Sequence, residues 1–551
     1  MAKNILICRC PDLAFDAQAL AARLGAAGVE VRLAPPLCTP EGLKEWTPLK
    51  AGGLLGACGP EVNAGLFEGH PVVDLLSCRD LEAAAAAVAL AWEAKEAPAA
   101  PGKAASGAVL VVGGGVGGCQ AALDLANAGF KVYLAETSLS IGGTMAQLDK
   151  TFPTLDCSIC ILGPKLVEVA THPGIELLSY ARLDKITGEA GCFEVDLTLR
   201  PRYVNMAKCV GCGSCAGVCP VIVPSRWNLG LKPRKAIRII FAQAVPLRAT
   251  IERDYCLDCQ MCVKACEHQA INLLLRPASR RLEVGAIVLA TGARPFDPGL
   301  KSEYGYGRVR GVVTSLEFER LVCASGPTLG SLVTAAGRPV RKLAFVQCAG
   351  SRDRRFLSHC SGFCCTASLK QAMLALEHEP GAEVTIFYND LRLSGKGFED
   401  LYHRARQAGV RFVKALPGKI EDDRAGGAVV RYEDQATGRR QTLTVDLAVL
   451  AVGLQAPRDD LPFAGPAPEL DAWGFYQGRH PVLEPQASTV PGVFLAGTCQ
   501  GPRDISETVC TGSAAAARVM RLLGGRGQGS GVRDQEKGKR GKRARGKDKA
   551  K

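Results

Sequence analysis

Two short segments, "CVGCGSCAGVC" and "CLDCQMCVKAC", constrain this chain more than anything else in it. Both read CxxCxxCxxxC, through Cys209, Cys212, Cys215 and Cys219 and then Cys256, Cys259, Cys262 and Cys266. Three thiolates two residues apart wrap three corners of an iron–sulfur cubane. Tetrahedral zinc does not call for two four-cysteine runs of this form. The chain has 24 cysteines in 551 residues. It is too long for a small secreted disulfide scaffold, so clustered thiols at short spacings read as metal ligands in a reducing compartment.

In two-cluster ferredoxins the fourth cysteine of each run crosses to the other cube. That rule assigns Cys209, Cys212, Cys215 and Cys266 to one [4Fe-4S] centre, and Cys256, Cys259, Cys262 and Cys219 to a second. Glu267 stands where a proline usually follows the second run, which touches the turn and not the ligation.

A second pattern precedes these runs. In "AVLVVGGGVGGCQAALDLANAGFKVYLAE" a buried-strand pattern enters Gly113-Gly114-Gly115-Val116-Gly117-Gly118 and a helix pattern leaves it. Gly113, Gly115 and Gly118 satisfy GxGxxG: tight turn, close backbone approach to a pyrophosphate, close helix–strand packing. The helix N-terminus adds amide donors and a favourable dipole. Glu136 ends the next strand, where a carboxylate can accept from ribose hydroxyls, and no arginine beside it greets a 2′-phosphate. The pair Gly142-Gly143, and later Gly292 in "ATGA" and Gly497-Thr498 in "GVFLAGT", are placed like the loops that flank FAD in flavoproteins with two dinucleotide domains. Thr498 stands where many of those enzymes carry an acidic residue.

The order of patterns divides the chain. Residues 1–97 read as an N-terminal α/β domain built from "NILIC", "FDAQALAARLGAAG" and "VEVRLA", closed by a helix over Leu81–Glu96. A linker covers 98–107. The FAD-binding domain comes in three parts, 108–202, 276–337 (with a connection) and 456–525, interrupted by the cysteine-rich insert 203–275. A second Rossmann-like domain spans 338–455, and 526–551 is a basic tail. The net charge of +13 is concentrated there: Arg533 to Lys551 holds ten Lys/Arg against three Asp/Glu. Without apolar periodicity this tail is expected to be disordered and solvated, and no nucleic-acid partner is expected. No apolar run approaches the ~20 residues of a membrane span, and "MAKNILICRC" lacks a secretory signal, so a cytoplasmic protein is expected.

The second Rossmann-like domain departs from its type. Its first strand, "KLAFVQ", runs into "CAGSRDRRFLSHCSGFCC" where a glycine turn would receive a nicotinamide. Cys348, Cys360, Cys364 and Cys365 there read either as ligands of a third iron–sulfur cluster or as buried structural thiols. Arg352, Arg354 and Arg355 are positioned to moderate the negative charge of such a site.

The segments "IGGTMAQLDKTFPTLDCSICILGPKLVEV", "KAIRIIFAQAVPL", "CAGSRD…HCSGFCC", "LSGKGFEDLY" and "GVFLAGTCQGPRDI" resemble the A-type subunit of heterodisulfide reductases, an iron–sulfur flavoprotein family, over about residues 105 to 525. The resemblance implies a thioredoxin-reductase-like α/β flavoprotein with two dinucleotide domains, an inserted ferredoxin-like domain and a small N-terminal domain. It implies FAD, two [4Fe-4S] clusters in the insert and a third at the CxGSRD…CSxxCC cysteines. It also implies electron transfer with other subunits of a complex and with carriers such as ferredoxin, including electron bifurcation at the flavin in some members. The related flavoprotein subunit of quinone-interacting membrane-bound oxidoreductases shares much of this core. Many members of the family continue into a second ferredoxin-like unit, where this sequence has its basic tail.

Other residues carry two readings. Cys157 and Cys160 form a CxxC after the flavin loop, which suits either dithiol exchange with the flavin or plain packing. Lys150 either faces the isoalloxazine, where a cation stabilises reduced flavin, or lies on the surface. Cys119, Cys192, Cys323, Cys499 and Cys510 have no partner spacing and are expected to be small buried residues, and the scattered Cys8, Cys10, Cys38, Cys58 and Cys78 have no ligand pattern. The leading expectation is an electron-transfer flavoprotein subunit. The alternatives are the flavoprotein subunit of a quinone-linked complex, a self-contained NAD(P)H-dependent disulfide reductase, for which the second glycine loop is missing, and a non-catalytic docking scaffold with structural clusters.

Overall fold

The computed structural model describes residues 106–457 and 461–524, with short stretches before them at 4–8, 16–26, 29–34, 54–57, 72–74, 84–85 and 88. Most of the expected helix over Leu81–Glu96, most of the linker, Cys10, Cys38, Cys58, Cys78 and the basic tail lie outside the described residues. The chain forms two units, Met1–Pro101 and Gly102–Lys551.

The first unit is the α/β arrangement its sequence suggests. Its parallel sheet has the order Glu30–Ala34, Asn4–Cys8, Leu54–Ala57, Val72–Asp74. Ile5 and Ile7 alternate into its core, and the helix Ala17–Ala26 buries Leu20 and Leu24.

In the second unit, "VLVV" and "AIVL" make continuous apolar runs rather than alternating ones, because their strands are covered on both faces. The strands Val493–Leu495, Ala286–Leu289, Ala108–Val112, Lys131–Glu136 and Ile175–Ser179 pair in parallel in that order. The three parts of the FAD-binding domain expected from sequence therefore share one sheet. The helices Val116–Asn127 and Ile505–Gly524 pack together; a side chain at Gly512 would stand 2.5 Å from the Gly117 carbonyl oxygen.

The insert leaves from an antiparallel three-stranded sheet. Cys192–Leu199 pairs with Ala278–Val284 in a register that sets Leu199 opposite Ala278. The chain therefore departs and returns at neighbouring points, and the parent sheet stays intact across the insertion. Residues 203–275 have a small core of their own, with Val204, Ile237, Ala249, Ile251 and Ala270 buried.

The second sheet, order Val312–Thr314, Leu447–Val452, Lys342–Ala349, Glu383–Tyr388, Arg411–Lys414, is wholly parallel. Its edge strand comes from Val312–Thr314, so this domain begins before residue 338. A capping box follows at Thr314, where the hydroxyl and Glu317 exchange bonds with each other's backbone and start the helix Ser315–Val322. Among the described residues no helix is long and apolar enough to cross a membrane.

Candidate functional site

A cavity of about 850 Å³ opens at the C-terminal ends of the first sheet's strands, where ligands of doubly wound folds bind. Gly113, Gly115, Gly117, Gly118, Glu136 and Gly143 line one end of it, and Gly292, Gly497 and Thr498 line its side. Gly113 has φ +104°, and a Cβ there would meet the Ala290 carbonyl oxygen at 2.3 Å. A Cβ at Gly118 would stand 1.9 Å from the Gly113 oxygen. At Gly115 a Cβ would meet nothing within 4 Å, so backbone is open to a ligand there. Gly114 and Gly142 do not line the cavity; the Gly142 amide donates to the Gly114 carbonyl (2.7 Å), locking the two glycine loops together.

Glu136 holds this end in shape. Its Oε2 accepts from the Gly114 amide (2.6 Å) and its Oε1 from the Ser138 amide (2.7 Å), leaving lone pairs for ribose hydroxyls. Thr291 also lines the cavity, and its hydroxyl is buried without a hydrogen-bond partner. Arg503, which lines the cavity and donates to the Gly497 carbonyl (3.1 Å), supplies a cation that the sequence pattern did not single out. The open backbone at Gly115, the orphan hydroxyl and the cation fit a bound FAD.

The opposite end differs from expectation. Lys150 lines the cavity, but its ammonium binds both oxygens of Glu377 at 2.7 Å, because the segment after Asp149 packs on the helix Cys364–His378. The buried cation is Lys370 of that helix, paired with Glu319 at 2.5 Å; the two side chains are 2% and 1% exposed. Lys370 also donates to the Lys150 carbonyl (2.8 Å), and Gln371 donates to Glu319 (2.6 Å). Lys370, Gln371 and Glu319 all line the cavity. Cys157 and Cys160 do not. They are disulfide-bonded to each other at the N-terminus of the helix Ser158–Thr171, whose buried face is Ser158, Leu162, Leu166 and Val169, so both cysteines fall off the cavity wall.

The insert gathers its thiols around two small cavities. Cys209, Cys212, Cys215 and Cys266 line one; Cys256, Cys259, Cys262 and Cys219 line the other. Each of the short helices Ser214–Gly217 and Met261–Lys264 lies within one cysteine run, before its fourth cysteine. Burial, then Cys209, pushes Cys215 up to about 11; burial, then Cys256, raises Cys262. Among the described residues no three His, Cys, Asp or Glu side chains converge tightly enough for a single ion.

The second sheet's first strand ends differently from the first sheet's. Cys348 sits at φ +57°, a left-handed conformation uncommon for a residue with a side chain. At Gly350, φ +84°, a Cβ would strike the Phe296 ring at 2.2 Å, so packing fills the approach a pyrophosphate would need. The helix that follows starts at Cys364, which puts Cys364 and Cys365 in its first turn, where the dipole favours negative charge. Burial raises Cys364 far above the usual thiol range, and the charges of Cys365, Cys348 and Cys360 add to it. Cys365 is pushed up to about 11, chiefly by burial. Arg352 lies against Cys348 and pairs with Asp390. Arg355 instead serves Asp353 and Glu303, away from the thiols. Of the unpatterned cysteines, Cys119, Cys323 and Cys499 are buried as expected, while Cys192 is half-buried and Cys510 is exposed on the closing helix.

Residues 107–322 match the pyridine nucleotide-disulphide oxidoreductase family, which makes the protein with this glycine-lined cavity a flavoprotein oxidoreductase. The relatives narrow this. The iron-sulfur A-type subunit of CoB–CoM heterodisulfide reductase from Methanocaldococcus jannaschii is 46% identical over 416 residues, 74% of this chain and 63% of that protein. The A-type subunit of the H2:CoB–CoM heterodisulfide,ferredoxin reductase from Methanothermobacter marburgensis is 44% identical over the same shares. Over that aligned length the chain is similar to the A-type subunits of heterodisulfide reductases, and it spans less than two thirds of these relatives. Among solved structures, thioredoxin reductases of Lactococcus lactis and T. acidophilum, each 15% identical with TM-score 0.44, cover 76% and 75% of this chain and 99% and 97% of their own.

Proposed function

We propose that the chain is the FAD- and [4Fe-4S]-bearing electron-transfer subunit of a heterodisulfide-reductase-like complex. FAD occupies the glycine-lined cavity, two cubanes the insert, and a third the cysteines from Cys348 to Cys365. The observation that carries this reading is the exchange of fourth cysteines: Cys266 joins the first run's cavity and Cys219 the second's. Zinc sites or packing thiols would not need that exchange.

Bound FAD supplies a two-electron store that empties in single-electron steps, and cubanes carry single electrons. The chain's own residues set the conditions. The Gly115 backbone and the helix behind it receive the pyrophosphate, Glu136 orients the ribose, and Arg503 offsets phosphate charge. Lys370, kept dry and paired with Glu319, places a cation at the other end. The segment at Cys348–Cys365 replaces a nicotinamide cradle, which disfavours a self-contained NAD(P)H-dependent reductase. Other subunits and a carrier such as ferredoxin then serve as donor and acceptor.

Anaerobic purification with native partners, followed by iron, sulfide and flavin counts, tests the proposal. About twelve iron and one FAD per chain are expected; about eight iron would remove the third cluster. Division of an electron pair between ferredoxin and a disulfide is the finer form. A redox titration with crossed one-electron flavin potentials supports it, and the ordinary order removes it.

A further inference from the structure

Among the described residues, Trp227 is the one member of the segment 203–275 that lines the 850 Å³ cavity. Its indole stacks on Phe241 of the same segment, with ring centroids 4.4 Å apart and planes 12° from parallel. A network of four hydrogen bonds fixes its place. The Trp227 carbonyl accepts from Gln147 Nε2 (2.8 Å), at the end of the 3₁₀ turn Gly143–Gln147. The next residue, Asn228, accepts at Oδ1 from Arg320 Nε (3.1 Å). Arg320, fully buried, also donates to the Gln147 carbonyl (3.0 Å) and the Ser325 carbonyl (3.1 Å). One guanidinium thus joins the insert, the flavin loop and the helix Ser315–Val322.

The same helix carries Glu319, and Glu319 accepts from the Asp149 amide (3.1 Å) two residues beyond Gln147. Trp227 therefore belongs to the Glu319–Lys370 end of the cavity, away from the Glu136 end. The hairpin that carries it pairs Ile222–Pro224 with Pro233–Lys235, and Cys219 enters that hairpin directly.

We infer that Trp227 is a positioning residue through which the iron–sulfur insert forms part of the flavin's own binding wall. The insert is then a structural element of the flavin site at its isoalloxazine end rather than an appended wire. An indole prestacked on Phe241 and anchored by its backbone offers a flat apolar surface that costs little further ordering when a ring system binds. The inference rests on the FAD reading above.

The test uses purified holoprotein, released FAD being followed by its fluorescence after dilution, with iron counted in parallel. Trp227→Ala is expected to release FAD about tenfold faster with iron content unchanged, and Trp227→Phe to restore most of the retention. Arg320→Lys, which keeps the charge but loses the planar fork, is expected to fall between them. Release of FAD from Trp227→Ala at the wild-type rate, iron intact, overturns the inference and leaves the flavin reading standing. Should Trp227→Ala lose iron as well, the Phe variant decides: rapid release from an iron-replete Trp227→Phe also overturns it. Wild-type protein that carries iron but no FAD overturns the flavin reading itself.

Discussion

Two sheets of the second unit, one wholly parallel and one with five parallel strands, begin alike and end their first strands in opposite ways. Ala108–Val112 runs into a glycine turn whose Gly115 is open to a ligand. Lys342–Ala349 runs into a turn whose Gly350 is closed by the Phe296 ring, with thiols from Cys348 to Cys365 gathered beside it. In both, a helix N-terminus faces the strand end. What it faces differs: backbone amides free for a phosphate in one, Cys364 and Cys365 in the other. On the proposed reading, a strand–turn–helix unit is a general anion seat, and a few residues in its turn decide whether the anion is a pyrophosphate or a thiolate-bound cluster.

The sharpest way to break this comparison is to add a methyl to each turn. Gly118→Ala places a Cβ 1.9 Å from a backbone oxygen that cannot yield, so FAD content should fall by at least about tenfold while the insert's iron remains. Retention of FAD by this variant would mean the glycine turn is not the cofactor's seat. Next in size, Lys370→Met strands Glu319 as an uncompensated buried charge. Denaturant unfolding should show a loss of about 3–5 kcal/mol, and a change within error would mean that water reaches the pair. Gly350→Ala meets a ring rather than a cofactor; a loss of about 1–3 kcal/mol with FAD retained is expected by thermal unfolding and flavin count. Smallest is the double variant Cys157→Ser/Cys160→Ser. Neither cysteine lines the cavity, so iron and FAD contents should match the wild type, whereas loss of either would return the pair to the site.

Much of this was legible in sequence because it is local. A GxGxxG turn, a CxxCxxCxxxC run and a buried strand each lie within a few residues, and their chemistry follows from spacing. Even the crossing of Cys219 and Cys266 is legible, since the repeated run implies its own symmetry. Lys370, Glu319, Arg320 and Trp227 were not. Lys370 meets the Lys150 carbonyl across 220 positions, and Arg320 meets Gln147 across 173. No local pattern marks Lys370 in its own helix, whereas Lys150, placed beside the flavin loop, reads either as a cation facing the flavin or as a surface lysine. Which of the two is buried depends on how the second sheet's helix packs on that loop, and no local pattern encodes it. The edge strand Val312–Thr314 was missed for the same reason: three residues carry no period, and their partner Leu447–Val452 lies far along the chain.

The claim on which the account rests is that iron held by Cys348, Cys360, Cys364 and Cys365 takes the place of a nicotinamide site. Counting iron and FAD in Cys364→Ser beside the wild type, both purified anaerobically, addresses it most directly. A fall from about twelve iron to about eight per FAD, with flavin unchanged, is expected. Equal iron in the two proteins, together with rapid reduction of the flavin by NADH, would contradict it.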